Sequence, residues 1–158
     1  MYRILASIAL AATVALPTMV SADGHLEAME KAVKARKGLF QVYAFNLGQL
    51  GAMAKGKAEF NAEAAQAAAD NLLAAAAMRG GAMWPQGSDN TGPMKGKTRA
   101  KPEAWTTWPA IAENSEALKK AAAAMQANAG SLEGIRANIG AVGAACKGCH
   151  EKYRAKDF

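Results

Sequence analysis

The amino-acid sequence predicts an all-α protein, an antiparallel four-helix bundle, on three observations. After residue 22 the composition is rich in Ala, Leu, Lys, Glu and Gln and poor in β-branched residues, which favours helix. Apolar side chains recur at alternating spacings of three and four along four stretches, each the pattern of a helix with one buried seam. Two of the three links between these stretches are short, so consecutive helices must fold back on one another.

Residues 1–22 stand apart from that pattern. Arg3 precedes an apolar and small stretch from Ile4 to Val20, and Val20-Ser21-Ala22 ends it with small residues. A charged start, an apolar run and a small-residue exit make a secretory signal. The alternative is a membrane anchor, but Ser7, Thr13, Pro17 and Thr18 interrupt the run and it is short for a span. We expect residues 1–22 to be a cleaved signal peptide and residues 23–158 to be one exported domain with no stable membrane anchor. Without Arg3 the chain keeps 18 Lys and Arg against 13 Asp and Glu, a net charge of +5. No basic stripe with interleaved aromatics is present, and an exported chain has no call for nucleic acid as a partner.

The first helix is expected from about His25 to Ala54, with a seam of Leu26, Met29, Val33, Arg36, Phe40, Tyr43, Leu47 and Leu50. The second is expected from about Ala62 to Arg79, capped by Asn61, with Glu63 favoured in its first turn and Gly80-Gly81 ending it. Residues 80–103 carry Gly, Pro85, Pro93, Ser and Asn without period and read as a long loop, a feature that usually serves a site. The third helix is expected from Glu103 or Pro109 to Asn128, on Trp108, Ile111, Ser115, Leu118, Ala122 and Met125. Ser131 caps the fourth, which runs to about Lys156 on Ile135, Ile139, Val142, Cys146, Cys149 and Tyr153, with Gly134 unhelpful near its start. Alanine at many seam positions suggests room for a large group in the core.

Cys146-Lys147-Gly148-Cys149-His150 is a C-x-x-C-H sequence, the haem c attachment signature. Each thiol adds to a haem vinyl group, and the histidine that follows binds the iron. The two cysteines share one helix face, a turn apart. A thioredoxin-type pair would open a helix after a strand, and a zinc site would need four ligands, whereas His25 is the one further histidine and no further cysteine exists. We therefore expect one haem c, bound covalently through Cys146 and Cys149 near the C-terminal helix, with His150 as the metal ligand. Gly140, Gly143 and Gly148 surround the motif and would let a flat macrocycle approach the backbone, or are simply small residues in a packed bundle. Arg36, a charge on a core seam, needs an anion, and a haem propionate suits a guanidinium. Lys37, its neighbour, offers a second cation. His25, near the start of the exported chain, is expected in solvent. Met29 is the methionine best placed on the first seam to be a sixth ligand, although methionine on an apolar face is usually packing.

Three segments carry a family resemblance: Arg36-Lys37-Gly38-Leu39-Phe40 with Gly48, Lys101-Pro102-Glu103-Ala104-Trp105, and Gly140-Ala141-Val142-Gly143 running into Cys146 to Arg154. Together they make the chain similar to cytochrome c prime, the high-spin class II c-type cytochromes. The resemblance covers almost all of the exported part. It implies a periplasmic bundle, usually a homodimer, and five-coordinate iron with His150 as its one protein ligand. It implies that Arg36 lies beside the haem, that Phe40 crowds the open face, and that Arg154 stands near the proximal face. It places Thr98 and Arg99 in a segment that approaches a propionate, although the family often has an acid where this chain has Arg99. It implies binding of NO and CO, with electron transfer to an unidentified redox partner.

The function expected is electron transfer, gas binding, or both, and not enzymatic turnover, since no polar group is predicted on the open face. The alternatives are an NO buffer or sensor without a redox partner and a low-spin His/Met carrier. Lys147, Lys152, Arg154 and Lys156 surround the attachment end, where they could meet an acidic partner or simply be solvated.

Overall fold

A computed structural model describes residues 22–157. The expected signal peptide lies outside the described residues except for Ala22, which opens the first helix. Five helices follow in order: α1 Ala22–Ala54, α2 Ala62–Ala76, α3 Glu103–Thr106, α4 Ala110–Asn128 and α5 Leu132–Tyr153. A 3₁₀ turn at Gly81–Met83 lies between α2 and α3. The described residues form no strand, although Ala100 and Arg154 make an isolated antiparallel bridge.

The four long helices pack in a ring, α1 on α2, α2 on α4, α4 on α5 and α5 on α1. Side-chain hydrogen bonds give the directions. The Tyr43 hydroxyl donates to the Ala75 carbonyl at 3.1 Å and Asn71 Nδ2 donates to Asn46 Oδ1 at 3.4 Å, so α2 runs back along α1. Gln66 Nε2 donates to the Gln126 carbonyl at 3.1 Å, joining the start of α2 to the end of α4. Arg136 Nε donates to the Ala54 carbonyl at 2.9 Å, so α5 starts where α1 stops. The result is the antiparallel bundle the periodicity predicts.

Leu50 and Met53 of α1, Leu72 of α2, Met125 of α4, and Ile135 and Val142 of α5 form the centre of the core. Ala65, Ala69 and Ala122 are fully enclosed there. In this half the buried alanines pack directly against the neighbouring helices.

Both predicted N-caps are present. Asn61 is extended (φ −128°, ψ 116°) and its side chain accepts from the Ala64 N–H, while Ser131 accepts from the Gly134 N–H at 3.0 Å. Gly134 proves necessary: a Cβ there would stand 2.0 Å from the Asn128 carbonyl oxygen, because the link from α4 to α5 is so tight.

Helix ends differ from the sequence reading in three places. Helix α2 stops at Ala76, before Arg79, as the chain turns toward the 3₁₀ segment. The third stretch is split into α3 and α4 at Thr107–Pro109, where Pro109 has no N–H to continue the earlier turn. Helix α5 stops at Tyr153 because Arg154 is extended (φ −116°, ψ 124°) and pairs with Ala100. Trp108, expected on a seam, precedes α4 and is 72% exposed.

Candidate functional site

Cys146 and Cys149 lie on the α5 stripe that carries Ile139 and Val142, and both are half-buried. Burial pushes each thiol above its usual pKa, and charge on Cys146 pushes Cys149 further. This is the reverse of a redox-active C-x-x-C, whose thiolate is stabilised. Burial, and then the Arg99 charge, hold the His150 imidazole below its usual value, which favours the neutral ring that a metal requires. Arg154 Nη1 stands 3.4 Å from His150 Nδ1, so a cation sits one turn past the histidine.

The Arg136–Ala54 bond fixes which part of α1 these residues face. Counting 14 residues along each helix at 1.5 Å per residue brings Phe40 level with His150, about 21 Å away. On the same count Tyr43 comes level with Cys146 and Lys147. Burial, and then the charge a Cys146 thiolate would carry, push the Tyr43 phenol above its ordinary value. Phe40 is 42% exposed although it stands on the α1 seam. The core closes the α1–α5 seam at the Ala54 end, while toward the other end Phe40 and the two cysteines are only partly covered. Gly143, one turn before Cys146, would carry a Cβ into open space, whereas a Cβ on Gly148 would meet Asn114 of α4. The glycines thus do not act together: Gly143 leaves room on the cysteine side and Gly148 faces a neighbouring helix.

Arg36 does not reach out to solvent. It is 2% exposed. Its Nη1 donates to the Met83 carbonyl and Ser88 Oγ, both at 3.2 Å. Its Nη2 donates to the Ser88 carbonyl at 2.9 Å and Thr98 Oγ1 at 3.0 Å. The guanidinium lies 4.3 Å from the Trp84 ring centre and 5.7 Å from that of Trp105. No carboxylate of the described residues lies within ion-pair distance of it, and burial pushes its pKa down to about 10. The long segment after α2 is therefore folded around a buried cation on α1. Phe40 joins this wall, with ring centres 6.3 Å from Trp84 and 5.9 Å from Tyr43.

Of the seven residues singled out from sequence, Cys146 and Cys149 are half-buried on α5, His150 beside them is exposed, Phe40 on α1 lies level with it by residue count, and Arg36 is one helical turn from Phe40 inside its cage. Lys37 is exposed, with Nζ donating to the Lys97 carbonyl at 3.5 Å, and half-buried Arg99 donates from Nη1 to the Lys156 carbonyl at 2.9 Å. Both lie at this end of the molecule. Met29 does not. It is buried with Val33 and Met94, and stands 11 residues before Phe40, about 16 Å further along the helix. His25 is exposed, as expected. Sequence reasoning missed Trp84 and Ser88, which lie in a loop without period, and read Trp105 only as part of a matching segment. No group of three or more His, Cys, Asp or Glu poised for a metal occurs among the described residues.

Comparison with known proteins identifies the family of this bundle. The family model described as Cytochrome C′ matches residues 31–154. Cytochrome c-554 of Cereibacter sphaeroides is 37% identical over 94% of this chain and 97% of its own length. Cytochrome c′ of Allochromatium vinosum is 37% identical over 99% of this chain and 100% of its own. The solved cytochrome c′ from Rhodobacter spheriodes superposes with a TM-score of 0.77 at 34% identity, covering 81% of this chain and 98% of that one. Two further structures match over 81% of this chain and 97% of theirs. One is a cytochrome c′ described as having an unusual ligand-controlled dimer dissociation (TM-score 0.72, 32% identity). The other is a nitric oxide complex of a cytochrome c prime variant from Alcaligenes xylosoxidans (TM-score 0.70, 30% identity). An open seam facing a C-x-x-C-H helix, in a bundle that superposes on these haem proteins along its length, places the chain in the cytochrome c′ family, which binds haem c.

Proposed function

We propose that the chain is a periplasmic monohaem cytochrome whose five-coordinate, high-spin iron exchanges single electrons and binds NO and CO. Cys146 and Cys149 hold the haem by two thioethers, and His150 binds the iron from one side. The observation that carries this reading is Phe40: an apolar ring, level with His150 across the bundle, stands where a sixth ligand would have to come from. Met29 lies about 16 Å away along α1. Met78, just past the end of α2, is 59% exposed.

Haem supplies an iron that changes oxidation state by one electron and accepts small diatomic gases. The chain's own residues set what reaches it. Phe40 offers no hydrogen bond, and the Tyr43 hydroxyl is engaged by the Ala75 carbonyl. A wall of this kind favours NO and CO over ligands that need a polar partner. It also lacks an acid–base group to assist peroxide cleavage, which argues against enzymatic turnover. Buried Arg36, with no acid beside it, supports a nearby haem propionate. Lys37 and Arg99 extend positive charge along that edge. The nitric oxide complex of the Alcaligenes xylosoxidans relative supports the gas-binding part. The leader pattern of residues 1–22 supports export.

Absorption spectra of the purified ferric and ferrous protein, with and without NO, test the proposal. A high-spin ferric spectrum and NO-dependent changes in the ferrous form are expected. A low-spin spectrum with a methionine–iron charge-transfer band would replace it with the His/Met carrier. The same protein as a homodimer is part of the proposal, supported by the relative with ligand-controlled dimer dissociation.

A further inference from the structure

The net positive charge of this protein is gathered at one end. Residues 95–101 and 147–157 contain eight Lys and Arg (Lys95, Lys97, Arg99, Lys101, Lys147, Lys152, Arg154, Lys156) and two acids (Glu151, Asp157). The other described residues carry 10 Lys and Arg against 11 Asp and Glu, and are nearly neutral. The fold brings the two basic segments together. The Lys101 N–H donates to the Tyr153 carbonyl at 2.9 Å, and the Ala155 N–H donates to the Arg99 carbonyl at 2.8 Å. Lys101 Nζ is held on the Lys152 carbonyl at 2.8 Å.

Two of these cations are already paired, Lys147 with Glu151 at 3.5 Å and Lys97 with Glu30. Lys152 and Lys156 are exposed and make no ion pair among the described residues. An exposed indole stands at the same end of the bundle. Thr107 Oγ1 donates to the Glu103 carbonyl at 2.8 Å and accepts from the Tyr153 hydroxyl at 3.0 Å, so its neighbour Trp108, 72% exposed, lies one residue from a contact with the end of α5. An exposed Trp within a field of cations has the composition of an interface anchor with a steering rim.

We infer that this basic rim, with Trp108 as its apolar anchor, docks the carboxylate-rich face of a one-electron redox protein. The rim surrounds the end of α5 that carries Cys149 and His150, so docking there brings the partner's redox centre to the attachment end. The inference rests on the haem reading above for its purpose and on the charge distribution for its geometry. Like charge held in one place steers an oppositely charged partner and is screened by salt.

The test is calorimetric titration of the holoprotein with an oxidised plant-type [2Fe–2S] ferredoxin, used as an acidic probe. Binding should weaken tenfold or more between ~20 and ~300 mM salt. At low salt the Lys152→Glu/Lys156→Glu variant should lose about tenfold in affinity, whereas Lys55→Glu/Lys57→Glu, at the far end, should stay within about twofold. Trp108→Ala should weaken binding about fivefold and Trp108→Phe should restore most of it. Equal losses in both charge variants would overturn the inference, leaving net charge alone. So would a Trp108→Ala variant that binds like the parent, or a rim variant that loses only adsorption to phosphatidylglycerol vesicles, which would assign the rim to a membrane. Calorimetry reads binding whatever the spin state of the iron, so a low-spin haem would sink the proposed function and leave this result readable.

Discussion

Arg36 shows how one side chain can organise a segment that has no secondary structure of its own. Its charged form is disfavoured by burial, which is why its pKa falls toward 10. Four hydrogen bonds and two aromatic faces offset that cost. Arg36→Ala leaves Ser88 and Thr98 without their partner and opens a cavity under Trp84. We expect it to lower stability by about 2–4 kcal/mol in urea unfolding. Limited proteolysis should then cut between residues 80 and 100 in the variant and not in the parent. Arg36→Lys keeps the charge but cannot serve four acceptors, so it should recover less than half the loss. Unchanged stability in Arg36→Ala would mean that the loop holds itself.

The helices were legible in the sequence because seam periodicity and capping chemistry are local. Asn61 and Ser131 cap where an Asn and a Ser before apolar runs say they should. The helix ends that were missed depend on distant partners. Arg154 leaves the helix to pair with Ala100, 54 residues earlier, and nothing near Arg154 signals that. The haem motif was legible because its chemistry demands fixed spacing. The cage around Arg36 was legible only as a charge in need of a partner, since Trp84 and Ser88 lie in a stretch without period. Gly134 reverses its local reading most clearly. Helix propensity disfavours it, yet a Cβ would stand 2.0 Å from a backbone oxygen of α4 that cannot move without unwinding the helix end. Gly134→Ala should therefore destabilise by more than about 2 kcal/mol, although Ala is the better helix former by about 1. A rise in melting temperature would show that the α4–α5 link relaxes freely.

The long first helix has two working sides. Phe40 and Tyr43 face the open seam, while Val42 and Phe45 face outward and are 44% and 68% exposed. Gly38, Val42, Phe45 and Gln49 repeat at spacings of four, three and four, one continuous stripe down the outside of α1. Small and apolar residues on such a stripe suit a second copy crossing the first about a two-fold axis. In that arrangement two Phe45 side chains are buried per dimer, one from each protomer. Burying a phenylalanine is worth about 1.5–3 kcal/mol, so losing the pair should cost 3 kcal/mol or more, roughly two orders of magnitude in the dimer dissociation constant. Phe45→Glu should therefore sediment as a monomer at concentrations where the parent is a dimer, with its haem spectrum unchanged because the residue points away from the seam. Phe45→Leu should keep most of the association. If the parent were monomeric at ~100 μM, a concentration that favours even weak pairs, or if Phe45→Glu still paired, α1 would not be the interface. If the prediction holds, the same helix carries the wall of the gas site on one side and the subunit contact on the other, so a ligand that displaces Phe40 shifts the element on which the partner rests.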